Sequence, residues 1–172
     1  MKKVCVIGCP GSGKSTFSRA LCEITGLPLC HLDLLYHNPD RTTVGKPIFR
    51  ERLAKVLAED QWVIDGNYGS TMELRIAACD TVFFLDYSVE VCLDGITSRR
   101  GKERADMPWV ETEDDSEFMA FIRAFPTESR PSVLALLRKY ADKTITVFRS
   151  REEADGYLQE LRNNADLPSV GS

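Results

Sequence analysis

Short apolar runs alternate with longer segments of helical periodicity along this chain. Between the runs, apolar residues recur at spacings of three and four, as Phe17, Leu21 and Ile24 do, which is typical of amphipathic helices. The strand-like runs read KVCVI, PLCHL, QWVID, TVFFLD and TITVF. Because helical crossovers join parallel strands, this alternation predicts an α/β fold with a five-stranded parallel sheet and helices on both faces. The nearly continuous apolar strands agree, since strands of such sheets are buried on both sides.

Two segments depart from this alternation. Residues 101–116 read GKERADMPWVETEDDS, are mostly charged and have no clear period. A connection of this length in a compact domain is often functional, so we expect a lid-like insertion over residues 101–130; a solvated surface loop is the alternative. The final residues, 163–172, lack apolar periodicity and are expected to be frayed. Since no repeat or linker interrupts the chain, residues 1–172 are expected to form a single domain.

The composition is that of an ordinary soluble globular protein, with 43% apolar and 28% charged residues in a chain of 172. The net charge of −4 argues against direct DNA binding, which normally requires a basic surface. No apolar run is long enough to span a membrane and the N-terminus carries no export signal, so we expect a cytoplasmic protein without a membrane partner. The six cysteines form no C-x-x-C pair, which favours structural thiols over a zinc site. The oligomeric state stays open.

One glycine-rich stretch carries the strongest functional signal. VCVIGCPGSGKSTF fits the pattern G-x-x-x-x-G-K-[ST], with an apolar strand before it and a helix after it. Glycines allow backbone N–H groups to curl around phosphate oxygens, and the helix N-terminus adds its positive dipole end. We expect Lys14 to bridge the β- and γ-phosphates of ATP, and the Ser15 hydroxyl to hold Mg²⁺. The predicted phosphate cradle comprises Gly8, Pro10, Gly11, Ser12, Gly13, Lys14, Ser15 and Thr16.

The P-loop alone does not separate a kinase from a GTPase, an ATPase or a regulator. The chain has no Asn-Lys-x-Asp, which disfavours a guanine-specific switch, and it is too small to carry the accessory regions of the large ATPase classes. Phosphoryl transfer from ATP to a small-molecule acceptor is therefore the favoured hypothesis.

Two acidic residues follow predicted strands, where open α/β sheets bind their ligands. Asp65 ends the run QWVID and is expected to hold Mg²⁺ together with Ser15; a turn aspartate before Gly66 is the alternative. Asp33 ends the second strand and is expected to accept the proton of a substrate hydroxyl or to bind that hydroxyl. The alternative for Asp33 is an N-cap of a short helix.

Several stretches together resemble a known family. CPGSGKSTFSRAL resembles the P-loop of adenylate kinase and its relatives, and WVIDGNY resembles their third strand. Together with GLPLCHLD, DGNYGSTMELR, RADM and RSREEADGYL, these stretches make nearly the whole chain similar to the FlaR-like proteins, often labelled DNA topology modulation proteins. The resemblance implies a three-layer P-loop NTPase fold with sheet order 2-3-1-4-5 and a short lid. Its label leaves a second class open: a nucleotide-binding regulator that affects DNA topology or a DNA-bound partner.

The resemblance also suggests acceptor-site residues. Asn67, Tyr68 and Arg75 follow Asp65 and are predicted to contact the substrate. Adenylate kinase has an arginine at the position of Gly69, so Arg75 is the nearest substitute, either as an anion clamp or as a surface residue of the next helix. This departure leaves the acceptor unassigned.

Two further arginines are predicted to be catalytic. Arg99 matches a phosphate-binding arginine of adenylate kinase; the alternative is a cation that pairs with a helix C-terminus. The arginine that packs on adenine corresponds to Gly95, so the choice between ATP and GTP stays open. Arg130 precedes Pro131 at a predicted helix start, where a cation gains nothing from the helix dipole, and a site role is expected for that reason.

Overall fold

The computed structural model describes residues 1–111 and 115–166, which form one parallel sheet with helices on both faces. The elements follow in chain order as β1 (Lys3–Gly8), α1 (Lys14–Thr25), β2 (Leu29–His31), α2 (Leu32–Tyr36), α3 (Lys46–Leu57), β3 (Trp62–Asp65), α4 (Gly69–Ala78), β4 (Thr81–Leu85), α5 (Val89–Arg99), α6 (Ser116–Glu128), α7 (Arg130–Lys139), β5 (Thr144–Phe148) and α8 (Arg151–Ala165). None of these helices has the length and apolarity needed to cross a membrane.

The strand order is β2-β3-β1-β4-β5, which confirms the predicted sheet. All neighbouring strands are parallel, and in register Val6 of β1 lies beside Asp65 of β3 while Gly8 lies beside Leu85 of β4. The end of β1 is therefore flanked by the ends of β3 and β4. The loops that leave these strands meet at one edge of the sheet, where open α/β folds bind ligands.

The core lies in two layers, one on each face of the sheet. Helices α1, α5, α6 and α8 cover one face, while α2, α3, α4 and α7 cover the other. On the first face the ring of Phe17 lies 5.2 Å from that of Phe83 and 5.6 Å from that of Phe148. Phe84 points into the opposite layer with Trp62. Because adjacent residues of β4 fill both layers, the strand is a continuous apolar run.

The first difference from the sequence prediction lies after β2. That strand ends at His31, and Asp33 lies in the first turn of the five-residue helix α2 rather than at the strand end. A helix of this length spans little more than one turn, too short for an apolar period to be visible in the sequence.

Two predicted segments contain more helix than the sequence indicates, and the lid-like role of residues 101–130 stays a prediction. Helix α6 begins at Ser116 and buries Ile122 and Phe125, so much of the insertion predicted over 101–130 is a packed core helix. The part without helix or strand among the described residues is 101–111, named here the lid segment. Helix α8 continues to Ala165, so a frayed tail does not begin at residue 163, and residues 167–172 of that prediction lie outside the described residues.

Helix α5 touches the glycine-rich loop backbone to backbone. A Cβ atom on Gly95 would lie 2.0 Å from the carbonyl oxygen of Gly11, and a Cβ on Gly11 would lie 2.0 Å from the carbonyl oxygen of Cys92. No side chain fits at either position, and Gly11 also has a φ of 82°, which other residues rarely adopt. This contact positions the loop against the helix that carries Arg99.

Exchanging Gly95 for alanine tests this contact. We expect Gly95→Ala to lower the free energy of unfolding by about 1–3 kcal/mol, because the added methyl overpacks the contact. Gly156→Ala in α8 is the matched control, since its Cβ would meet no described atom within 4 Å beyond its own helix backbone. There we expect a gain of about 1 kcal/mol from helix propensity alone. Urea denaturation measures both, and equal shifts would contradict the expectation.

Candidate active site

A cleft of about 1070 Å³ lies at the carboxyl edge of the sheet. The glycine-rich loop lines it, and so do residues of the lid segment and of the start of α6. The predicted site residues that line this cleft are Pro10, Gly11, Gly13, Lys14, Ser15, Asp33, Asp65, Asn67, Tyr68 and Arg99. Thr16 lines a neighbouring hollow, whereas Arg75 and Arg130 line neither of the two.

The lysine of the loop is held close to the backbone that precedes it. The Nζ of Lys14 donates hydrogen bonds to the carbonyl oxygens of Gly8, at 2.9 Å, and of Cys9, at 3.3 Å. Burial lowers the pKa of Lys14, while the carboxylates of Asp65 and Asp33 act in the opposite direction. A compact cation therefore sits beside the first turn of α1 with two carboxylates near it.

The loop fits a polyphosphate. Gly13 caps α1 with a φ of 90°, and a Cβ there would lie 2.8 Å from the Nη1 of Arg151. Arg151 in turn donates to the carbonyl oxygens of Ser12, at 3.1 Å, and Gly11, at 3.0 Å. These acceptors are thus paired with an arginine that does not line the cleft. The buried Ser12 hydroxyl has no hydrogen-bond partner among the described residues, and Ser12 does not line the cleft.

Asp65 is paired with a histidine of the neighbouring strand. The Nδ1 of His31 lies 2.8 Å from one carboxylate oxygen of Asp65, and both side chains are buried. Burial raises the pKa of Asp65, and His31 opposes that rise. The second oxygen, Oδ1, has no hydrogen bond among the described residues. A carboxylate oxygen and the Ser15 hydroxyl in one cleft are ligands that suit Mg²⁺.

The acceptor end of the cleft is built around Asp33. The phenol of Tyr68 donates to Asp33 Oδ1 at 2.5 Å, and the Nε2 of His37 lies 4.0 Å from the same oxygen. Burial raises the pKa of Tyr68, and Asp33 raises it further, so the phenol keeps its proton and remains a donor. Asp33 is thereby oriented while it still faces the cleft.

The loop after β3 is braced from behind. Arg75 is fully buried, and it donates to the carbonyl oxygens of Gly66 at 3.0 Å and of Asn67. The side chain of Asn67 accepts from the N–H of Gly8 at 3.2 Å, which ties this loop to the P-loop. Arg75 is therefore not the surface residue that was one alternative, and its guanidinium binds backbone carbonyls; its role as an anion clamp stays a prediction.

Arg130 also lies elsewhere than predicted. Its guanidinium pairs with both oxygens of Asp86, each at 2.8 Å, and Arg149 lies 2.8 Å from the same carboxylate. Asp86 directly follows β4, so it attracts the arginines at the start of α7 and after β5. A catalytic role for Arg130 in the cleft is therefore not supported.

Arg99 lines the cleft and pairs with the lid segment. Its Nε lies 3.3 Å from the Oε2 of Glu111, which also accepts from Arg104 at 3.0 Å. Arg104 in turn forms two bonds with Asp106, at 3.1 and 3.2 Å. Burial lowers the pKa of Arg99, the charge of Arg104 lowers it further, and Glu111 opposes both. Two arginines near the phosphate end thus share one carboxylate.

Sequence reasoning assigned no role to several residues that line or support this cleft. They are His31, His37, Arg41 and Arg151. A histidine four residues after Asp33 shares its helix face, which is the one local signal that could have found His37. The contacts of His31, Arg41 and Arg151 are with residues distant in the sequence, so no local pattern indicates them.

No protein-family model and no curated protein matches the chain. The resemblance to the FlaR-like family therefore stays a prediction.

Solved structures do match over almost the whole chain. Shikimate kinase from Acinetobacter baumannii in complex with shikimate is 21% identical with a TM-score of 0.60, over 98% of this chain and 96% of that one. Shikimate kinase from Bacteroides thetaiotaomicron is 20% identical with a TM-score of 0.54, over 95% and 98%. A sugar kinase from Janibacter sp. HTCC2649 is 17% identical with a TM-score of 0.50, over 96% and 92%. Together with the strand order, these likenesses show a P-loop kinase-like α/β fold.

Removing the buried guanidinium tests the brace behind the loop. We expect Arg75→Ala to lower the free energy of unfolding by about 3 kcal/mol, because buried carbonyls lose their donor and a cavity forms. Arg138→Ala is the control, since Arg138 is exposed and bonds only within its own helix. A change below about 0.5 kcal/mol is expected there. If both variants unfold at the same urea concentration, Arg75 does not brace the loop.

Neutralising Glu111 tests its competition with phosphate for the two arginines. We expect Glu111→Gln to bind ATP about two- to fivefold more tightly, the range of a partly exposed ion pair. Titration calorimetry measures the affinity, with Glu59→Gln, an exposed residue outside the cleft, as the control. Weaker binding would instead show that Glu111 positions the arginines for the nucleotide.

Proposed function

We propose that this protein is an ATP-dependent small-molecule kinase that transfers the γ-phosphoryl group to a hydroxyl of its acceptor. The observation that carries the proposal is that Lys14 and Asp33 line one cleft, the first at its phosphate end and the second beside Tyr68. A phosphate-binding lysine and a carboxylate that can accept a hydroxyl proton are the two ends that such a transfer needs. The similar solved structures are two shikimate kinases and a sugar kinase, which supports a small-molecule kinase.

The donor end binds and orients phosphate. The first-turn amides of α1 and the Nζ of Lys14 hold the phosphate oxygens, while Ser15 and Asp65 hold Mg²⁺. Mg²⁺ held by Ser15 and Asp65 would supply positive charge that offsets the negative charge of the phosphates. His31 keeps the Asp65 carboxylate in a fixed orientation by its bond to Oδ2.

The acceptor end handles one proton. The acceptor oxygen attacks phosphorus as its proton passes to Asp33, the bond from phosphorus to the bridging oxygen breaks, and ADP leaves. Tyr68 donates to the other side of the Asp33 carboxylate and fixes the angle from which the hydroxyl approaches. Asn67 links this end to the P-loop through Gly8, so both ends keep a constant separation.

The lid segment excludes water when it closes over the phosphates. Its two ends are joined, because the N–H of Gly101 donates to the carbonyl of Glu111 at 2.6 Å, and a closed loop moves as one unit. Arg99 lies beside it and Arg104 belongs to it, and both would stabilise charge on the phosphoryl group during transfer.

Loss of the loop lysine tests the assignment. We expect Lys14→Ala to reduce acceptor-dependent ADP release by at least about 100-fold, as removal of one charged donor does in such sites. The assay supplies Mg²⁺ and ATP with a panel of nucleosides, nucleoside monophosphates and small hydroxylated acids. Lys55→Ala, an exposed lysine of α3, serves as the control.

Only slow hydrolysis without any acceptor dependence would contradict the kinase proposal. In that case a gel shift at physiological salt, with and without ATP, would test the regulator class. Nucleotide-dependent DNA binding would replace the proposed function.

A further inference from the structure

A cluster at the far end of the cleft has no part in phosphate binding. The ring of His37 lies edge-on to that of Trp109, with centroids 5.1 Å apart. The guanidinium carbon of Arg41 lies 5.9 Å from the centroid of the same indole. All three residues line the cleft together with Asp33, which is 4.0 Å from His37. A continuous series of contacts thus leads from the proposed base to Arg41.

Arg41 is presented by a tight turn after α2. An antiparallel bridge joins His37 to Thr43, and the N–H of Arg41 donates to the carbonyl of Asn38 at 3.0 Å. Arg41 itself has a φ of 69°, a left-handed conformation that costs a non-glycine residue about 1 kcal/mol or more. These backbone contacts therefore fix the position from which the side chain of Arg41 extends.

The charges of the cleft differ from one end to the other. Lys14 is bonded to backbone carbonyls and Arg99 to Glu111, both at the phosphate end. No carboxylate pairs with the guanidinium of Arg41 within residues 1–111 and 115–166, and that guanidinium lies over the Trp109 ring. A cation stacked on an indole keeps its planar fork of donors available to an anion. Asp33, at the opposite side of His37, repels an anion and accepts from a hydroxyl.

We propose that His37, Arg41 and Trp109 form a subsite for an anionic group of the acceptor, so that the substrate is a small compound with both a hydroxyl and a carboxylate or phosphate. The proposal rests on the kinase function proposed above. The anion pairs with Arg41 in a bidentate manner, and the hydroxyl lies at Asp33. Since Trp109 belongs to the lid segment and Arg41 to the turn at 37–43, the subsite spans both walls of the cleft.

Pairs of neutral and anionic acceptors test whether the substrate carries an anionic group. ADP release is measured with glycerol, glycerate and glycerol phosphate, with glucose and gluconate, and with adenosine and adenosine monophosphate. We expect transfer to anionic members only, and the carboxylate and phosphate arms distinguish the two sources of charge. With the best acceptor, Arg41→Gln should raise the acceptor KM about 10- to 100-fold, the value of a charge-assisted pair, with kcat within about twofold and the ATP KM unchanged.

The control is Arg50→Gln, an exposed arginine of α3 outside the cleft, which should leave both KM values unchanged. Arg41→Lys should recover part of the loss, because it keeps the charge without the fork. Equal use of neutral and anionic acceptors, with no effect of Arg41→Gln, would overturn the subsite and leave the kinase function standing.

A second measurement does not depend on turnover. Inorganic phosphate is titrated into protein whose P-loop is filled with a non-hydrolysable ATP analogue, and tryptophan fluorescence is followed. Trp62 is 1% exposed and does not line the cleft, so a change in tryptophan fluorescence is attributed to Trp109. We expect a saturable change that is lost in Arg41→Gln and in Trp109→Phe. No saturable change in the wild type would overturn the subsite; saturation without any acceptor-dependent ADP release would uphold it and contradict the kinase function.

Discussion

Backbone carbonyls at the carboxyl edge of the sheet need donors, and two arginines supply them. Arg75 reaches from α4 to the loop after β3, and Arg151 reaches from α8 to the P-loop. Buried carbonyls must be paired, and a guanidinium carries five donors in one plane, so a single side chain can bind successive carbonyls. Both walls of the cleft are therefore fixed from behind.

Ion pairs connect α5 to the lid segment. Glu111 pairs with Arg99 and with Arg104, and Arg104 pairs with Asp106. Charges in a partly buried site interact more strongly than in water. An anion beside Arg99 in the cleft would compete with Glu111 for that guanidinium, so the proposed phosphate binding and the position of the lid segment would be linked.

The strands and the P-loop were predictable because their signals are local. Each strand is a contiguous apolar run, and the phosphate cradle is a contiguous motif that includes Lys14. The roles of the arginines were not predictable, because they depend on contacts with residues that are distant in the sequence. Arg130 lies 44 residues from its partner Asp86, and Arg151 lies 140 residues from Gly11. A buried brace, a surface ion pair and a phosphate ligand look alike in the sequence.

The same contrast explains why the fold defines the donor more sharply than the acceptor. The donor end is built by β1, the P-loop and α1, which follow one another directly. The acceptor end combines α2 and the turn at 37–43 with the lid segment, which is separated from them along the chain by two strands and three helices. Solved structures about one-fifth identical, of a shikimate kinase and a sugar kinase, match almost the whole chain and share its fold. The proposed acceptor residues Arg41 and Trp109 lie outside the strands and helices of that fold, one on the turn at 37–43 and the other on the lid segment.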